Sequence, residues 1–480
     1  MLTSPHRRTQ HGIMIVLLTG GFLSLLNETI LNVALTDIMR DMRVTTTVVQ
    51  WLSTGYVLVV AVMVPISAFL IRTFTTKQLH LGAMALFLAG TVVAFLAPSF
   101  PTLLAGRMLQ AVGTGLLAPI MINTALSIYP RERQGFVMGI CTCVILVGPS
   151  VGPIVSGVVL QFVDWRALFA LLLPLIIVCM AGGATLLGTA IPLTKPHIDL
   201  WSIVLSTVGF AALVYAMSIV NSSEWWLAAL LFAVGALAIG GFCKRQLSLP
   251  QPMLNVRVFA KPSFAVGALL VVAIQMVQFS MNIVLPLLFE NGLGLSSLQA
   301  ALLLLPAVVI CSVMTVIAGR LFDRIGGKTL IPLGLLVMLV FLIALIWQRP
   351  STPVVVIMLL NVGIYFGISL TWSPNQSNAL AELSPKDQTD GVSIINTLIQ
   401  LGSALGTPLF VGVMSAGESS YLSSHLSKTS LVHTSELTTA AFYAGFSRAM
   451  LVGSILIALT LLASMVPRLS SHLRDSTSVS

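Results

Sequence analysis

Charge is what this sequence has least of. Asp, Glu, Lys and Arg make up 8 % of its 480 residues, where a soluble globular domain carries about 25 %. Hydrophobic residues reach 57 %, and the mean hydropathy is +1.00. This balance excludes a soluble domain, whose surface needs charge, and implies an all-α polytopic membrane protein. The net charge of +9 does not imply nucleic acid, because the bases are scattered through short loops rather than gathered on one face. Cysteine is also scarce. Cys141, Cys143, Cys179, Cys243 and Cys311 all lie in apolar segments, and Cys141-Thr-Cys143 has no second pair at zinc-ligand spacing, so no metal centre is expected. The seven His residues fall in loops, termini or helix ends, without a clustered His, Asp, Ser or Cys constellation. There is no nucleotide-binding loop either, so neither an enzyme nor an ATP-driven pump is expected. Arg7 and Arg8 precede an apolar run too long for a signal peptide and lacking a small-residue cleavage site, so the first helix is expected to remain.

What is present is a succession of apolar runs long enough to cross a bilayer. They fall at about 13–35, 48–71, 79–98, 102–126, 135–160 and 167–190, then 200–220 and 225–243, then 264–289, 298–319, 329–347, 353–375, 391–414 and 441–466. The count is fourteen, which puts both termini on one side. Most Lys and Arg then share that side, with only Arg40, Arg43, Arg166, Arg349 and Lys428 opposite, and the positive-inside rule makes both termini cytoplasmic. The connections Ala68–Lys77 and Gly319–Lys328 each follow the second helix of a six-helix set. This points to an internal repeat: a first bundle over 1–195, an inserted pair over 196–248 and a second bundle over 249–480. The hydrophilic stretch 415–440 is expected outside.

Within the first run, Asn27-Glu28-Thr29 sets a carboxylate well inside the hydrocarbon. An ionisable residue at that depth costs at least about 2.5 kcal/mol and usually faces a cavity or an ion pathway. Ser24, Glu28 and Asn32 recur at steps of four, one polar stripe along one helix face. In the fourth run, Arg107-x-x-Gln110 adds a permanent cation of opposite sign to Glu28. Gly148-Pro149 and Gly152-Pro153 in the fifth combine a small-residue face with two kink-favouring prolines. In the turn at 319–328, Gly326 suits a helix end and Arg324 and Lys328 complement its negative terminus, whereas Asp323 needs a partner elsewhere.

These motifs carry a resemblance. Gly319-x-Leu-x-Asp323-Arg324-x-Gly326-x-Lys328 resembles the signature loop of the major facilitator superfamily, where it gates conformational change. Its first-half copy departs, with Arg72 in place of Asp and Thr75 in place of Gly. Arg107-x-x-Gln110 resembles the fourth-helix motif, with Ala111 in place of Gly, and Gly148 to Pro153 resembles the antiporter motif. Asn27-Glu28-Thr29-Ile-Leu-Asn32 is similar to the first-helix motif of the fourteen-helix drug:proton antiporters of the EmrB/QacA type, in its lincomycin-resistance form. The resemblance implies the major facilitator fold, two six-helix bundles plus two inserted helices. It also implies Glu28 and Arg107 as the proton-coupling pair, and Asp323, Arg324, Gly326 and Lys328 with Gly148, Pro149, Gly152 and Pro153 as gating residues.

The second half supplies uncharged polar groups: Gln275, Gln278, Phe279 and Asn282 on one side of the ninth run, Asn361, Tyr365 and Trp372 on the twelfth, Asn396 and Gln400 on the thirteenth. With Asn27, Asn32 and Gln110 they form the expected substrate cavity, suited to lipophilic, often cationic compounds. The reading is a plasma-membrane exporter coupled to protons, working by alternating access as a monomer, with no cofactor beyond the proton. A carboxylate desolvated by burial beside an arginine is able to exchange protons near neutral pH. A metabolite exporter or uptake symporter of the same fold is the alternative.

Overall fold

A computed structural model describes residues 7–188, 199–219, 225–250, 252, 254–295, 297–425 and 434–477. Among them the chain is helical and forms no strand. The helices are α1 (Arg7–Ile30), α2 (Leu35–Asp41), α3 (Thr46–Val49), α4 (Trp51–Thr73), α5 (Thr76–Phe95), α6 (Phe100–Ile128), α7 (Gln134–Val159) and α8 (Arg166–Leu186). They continue with α9 (Leu200–Ile219), α10 (Trp225–Ser248), α11 (Pro262–Leu287), α12 (Ser297–Ile325), α13 (Gly327–Ile346), α14 (Val354–Ala381), α15 (Pro385–His425) and α16 (Thr434–Thr477). Thirteen are long and apolar enough to cross a membrane, and α4 makes a fourteenth span if its two parts, bent by 52°, count as one. The break lies between Met63 and Ile66, a stretch whose sequence contains a proline, the residue type that favours kinks. Helices dominate because hydrocarbon offers backbone amides no partner outside the helix itself.

Several boundaries differ from the sequence reading, and two of the differences have local causes. The first helix closes at Ile30, where Asn32 N donates to Thr29 O at 3.0 Å and Ala34 N to Leu31 O at 2.9 Å, replacing the four-residue ladder with a tighter turn. At the other end α15 runs to His425 rather than stopping near 414. Its last turns hold because Ser419 and Ser424 return their hydroxyls to the carbonyls of Ser415 and Tyr421, and because Tyr421 stacks on His425 at 4.2 Å.

The chain forms two compact units. One comprises Met1–Val258 with Leu383–Gln400, the other Phe259–Glu382 with Leu401–Ser480. Each contains the same close contact. In the first, α5 and α6 meet at Gly90 and Gly106, where a methyl group added to Gly90 would fall 2.5 Å from the Gly106 carbonyl. In the second, α13 and α14 meet at Gly334 and Gly367, with a methyl on Gly367 2.6 Å from the Met338 amide. Glycine is required there because backbone replaces side chain in the contact, as membrane helices without a hydrophobic driving force favour. Both pairs are the third and fourth spans of their repeat. The inserted helices α9 and α10 belong to the first unit, where Tyr215 lies 5.5 Å from Trp51 of α4.

Candidate functional site

Arg107 is the centre of the polar interior of the first unit. It is fully buried, on a helix whose inner face alternates small and polar residues. A guanidinium there must find acceptors within the protein. Nη1 donates to the Asn27 carbonyl at 3.1 Å and to Gln110 Oε1 at 3.0 Å, and Gln110 passes its own amide to Thr91 at 2.9 Å. The guanidinium carbon lies 4.1 Å from the centre of the Tyr56 ring, a cation–π contact that strengthens when water is excluded. Tyr56 in turn shares a hydrogen bond with Thr114 at 2.6 Å and accepts one from the Asn27 amide at 3.2 Å. Four helices are thereby joined in one network, α1, α4 and α6 by Arg107 itself and α5 through Gln110.

Glu28 belongs to this group. Its carboxylate is 8 % exposed and close enough to Arg107 for their charges to interact, though no hydrogen bond or ion pair joins them. Arg107 keeps Nε and Nη2, and Asn27 keeps Oδ1, without hydrogen-bond partners. Among the described residues the other buried acid is Asp390, and it is already paired: Arg72 meets it at 3.1 Å, with both side chains almost completely enclosed. Glu28 is therefore a buried carboxylate next to an arginine whose donors are only half used. That arrangement can hold or release a proton.

The predicted glycine-proline face packs directly on this segment. A methyl on Gly148 would fall 2.8 Å from Leu25 Cβ, one on Gly152 would meet the Thr29 hydroxyl, and Thr29 donates to the Pro149 carbonyl at 2.7 Å. Asn396 and Gln400 of α15 line a cavity of about 30 Å³ with Leu25 and Thr114, although the Asn396 amide is held by Val392 O at 2.9 Å. Asn32 is not brought in. It lies beyond the end of α1, exposed, and accepts from Ser53 at 2.9 Å.

In the second unit, Tyr365 donates to Asn282 at 2.7 Å and Gln275 to Ser403 at 2.8 Å, fixing α11 against α14 and α15. Phe279 is half-buried. Buried polar groups usually find partners. Yet Gln278 Oε1, both amide atoms of Asn361, Trp372 Nε1 and Gln376 Nε2 are buried without one in the structure. The α14 members fall at 361, 372 and 376, with Tyr365 between, one face of that helix.

The turn at 326 has the expected form. Gly326 has φ +74°, a left-handed conformation that favours glycine, and its N–H closes α12 on Phe322 O at 2.8 Å. Asp323, Arg324 and Lys328 are exposed around it. The departures in the first-half copy also have structural causes. Thr75 is the N-cap of α5 in a reciprocal capping box with Gln78, so a hydroxyl serves where glycine was expected. Arg72 is committed to Asp390.

Sequence reading missed Tyr56, Thr91, Thr114 and Asp390. The available signals were modest: a tyrosine hydroxyl inside an apolar run must be satisfied, and Asp390 sits at the start of a span where Arg72 had no assigned counter-charge.

A multi-spanning, glycine-packed helical fold with a buried acid and arginine defines a membrane transporter rather than an enzyme. The profile described as Major Facilitator Superfamily matches residues 17–407, and the chain belongs to that superfamily. It is 38 % identical over 453 residues to the lincomycin resistance protein LmrB of Listeria monocytogenes, covering 94 % of this chain and 95 % of that protein. It is likewise 38 % identical over 449 residues to LmrB of Bacillus subtilis, covering 92 % and 93 %. The riboflavin transporter RibZ of Clostridioides difficile is 25 % identical, over 83 % of this chain and 87 % of its own. Among solved structures, the proton:xylose symporter XylE shares the fold with a TM-score of 0.64 at 15 % identity, covering 94 % of each chain.

Proposed function

We propose that this protein is a proton-coupled exporter of drug-like compounds, an antiporter working by alternating access. The observation that carries the reading is Glu28: buried, in electrostatic contact with Arg107, and bonded to nothing that would keep it permanently ionised. The likeness to lincomycin resistance proteins supports drugs as cargo. In this reading Glu28 takes a proton from outside, Arg107 then turns its unused donors toward other acceptors, and proton release to the cytoplasm restores the pair. Gly148 and Gly152 allow α7 to move against α1 at the point where Glu28 sits. The groups assigned to substrate are uncharged polar or aromatic: Gln275, Gln278, Phe279, Asn282, Asn361 and Tyr365 within the second unit, and Asn27, Gln110 and Asn396 within the first. The turn carrying Asp323, Arg324, Gly326 and Lys328 gates the cytoplasmic face. Both termini lie on that side of the plasma membrane, and the monomer suffices.

The test is efflux into inverted vesicles energised by a proton gradient, across cationic, neutral and anionic compounds. Accumulation of several unrelated lipophilic compounds, collapsed by an uncoupler, is expected. Accumulation of one metabolite alone favours the second reading, a metabolite exporter or symporter, which the likeness to a riboflavin transporter supports.

A further inference from the structure

A cavity of about 320 Å³ lies wholly within the second unit, where the first turns of α11 and α13 meet the last of α14. Its polar side chains are Ser263, Lys328, Asn375, Asn378 and Glu382, with Ser464 of α16, whose hydroxyl is held by Leu461 O at 2.6 Å. Three of these, Ser263, Lys328 and Glu382, stand within a residue of the ends of their membrane spans, so this rim lies at one membrane surface. Deeper along the walls the lining is Leu270, seven residues past Ser263 on α11 and about 10 Å along a helix, and Ile331, three past Lys328 on α13, both buried and apolar. Asn375, seven residues before Glu382 on α14, is 2 % exposed and fixed by a 2.9 Å bond to Gly267 O. The cavity therefore carries its charges at the rim, with amides and hydrocarbon together below.

The charges are of both signs and kept apart. Lys328 and Glu382 line the same space, yet neither side chain makes an ion pair or hydrogen bond among the described residues. A simple anion would be repelled by Glu382, and a simple cation by Lys328. We propose that this cavity binds the headgroup of a zwitterionic phospholipid with a primary ammonium, phosphatidylethanolamine in chemical class. The phosphate lies on Lys328 and the Ser263 hydroxyl, the ammonium on Glu382, the glycerol ester level on the amides of Asn375 and Asn378, and the upper acyl chains on Leu270 and Ile331. The volume suits a headgroup and glycerol, with the acyl chains continuing into the bilayer. The site is independent of what the protein carries. It adjoins the turn at Gly326, so occupancy bears on the same segment.

The test uses the purified full-length protein in detergent supplemented with phosphatidylethanolamine, phosphatidylcholine or phosphatidylglycerol, with bound lipid counted by native mass spectrometry. The wild type is expected to retain phosphatidylethanolamine about fivefold over phosphatidylcholine, whose quaternary ammonium has no N–H for Glu382, a ratio in the range of exposed charge contacts. Glu382→Gln should abolish that preference and leave phosphatidylglycerol retained at least as well as by the wild type, since the carboxylate that repels an anion is gone. Lys328→Gln should lower retention of both phosphatidylethanolamine and phosphatidylglycerol, and Lys328→Arg should restore it, which separates loss of the site from loss of the fold. Equal retention of the three lipids by the wild type, or a preference unaffected by Glu382→Gln, overturns the proposal. So does displacement of the lipid by millimolar soluble O-phosphoethanolamine, which would make the ligand a free zwitterion rather than a membrane lipid.

Discussion

At the scale of single residues, the molecule concentrates its costs at Arg107. A guanidinium inside a membrane helix is tolerated because Asn27, Gln110 and the Tyr56 ring together replace water. Tyr56→Phe keeps the ring but strips Thr114 and the Asn27 amide of their shared partner. The expected loss is about 1–2 kcal/mol of stability, read as a lower melting temperature in detergent. Arg107→Lys replaces the planar guanidinium that lies over the Tyr56 ring, and whose Nη1 reaches both Asn27 and Gln110, with a compact ammonium of different reach and geometry. Transport should fall by at least about tenfold in vesicles containing equal amounts of protein, and wild-type turnover by the lysine variant would contradict the arrangement. Glu28, Arg107, Asn27 and Gln110 were legible in sequence because ionisable and amide groups stand out against an apolar run. Tyr56 was not, since one aromatic among many is ordinary until the fold sets it over a cation. The stripe from Ser24 through Glu28 to Asn32 was half right: periodicity alone does not reveal that the turn after Ile30 leaves Asn32 outside the helix.

At the scale of elements, glycine sets how closely helices approach. Gly106 and Gly367 meet backbone across their interfaces, so Gly106→Leu or Gly367→Leu must separate α5 from α6 or α13 from α14. Each should destabilise by about 1–3 kcal/mol or more, and equal melting temperatures in detergent would show the contacts to be slack. The inserted pair is held differently. Asp199, just before α9, receives two bonds from Arg245 of α10, at 2.6 and 2.9 Å, and a third from Ser202. The Arg245 hydrogen bonds, foremost, hold its carboxyl down at about 2. Because the folded value lies below the ordinary one near 4, this clasp stabilises fully above pH 4 and is lost as pH falls toward 2. Asp199→Asn should lower thermal stability at pH 7, with the difference from wild type shrinking below pH 4. A constant difference across that range would assign the effect to packing. Sequence reading found the two helices but did not foresee this clasp, since Asp199 and Arg245 are 46 residues apart. Substitutions in the pair should impair stability more than substrate range.

At the scale of the whole molecule, hydropathy revealed the long apolar spans, and the superfamily came from the resemblance of the motifs. The bend of α4 was not foreseen from the uninterrupted apolar run that contains Pro65. The two units that contact defines also follow the chain imperfectly, since Leu383–Gln400 packs with the first, and a span count cannot show that. The proposed function depends at this scale on one exchange, substrate outward against proton inward, with Glu28 proposed as the group that carries the proton. The most direct measurement reconstitutes wild type and Glu28→Gln at equal density in proteoliposomes containing a pH-sensitive dye, then follows substrate and proton together. The account predicts that substrate addition drives opposite proton movement in the wild type, and that the Gln variant still binds substrate but neither moves protons nor concentrates substrate under a gradient. Gradient-driven accumulation by the Gln variant at the wild-type rate would contradict it.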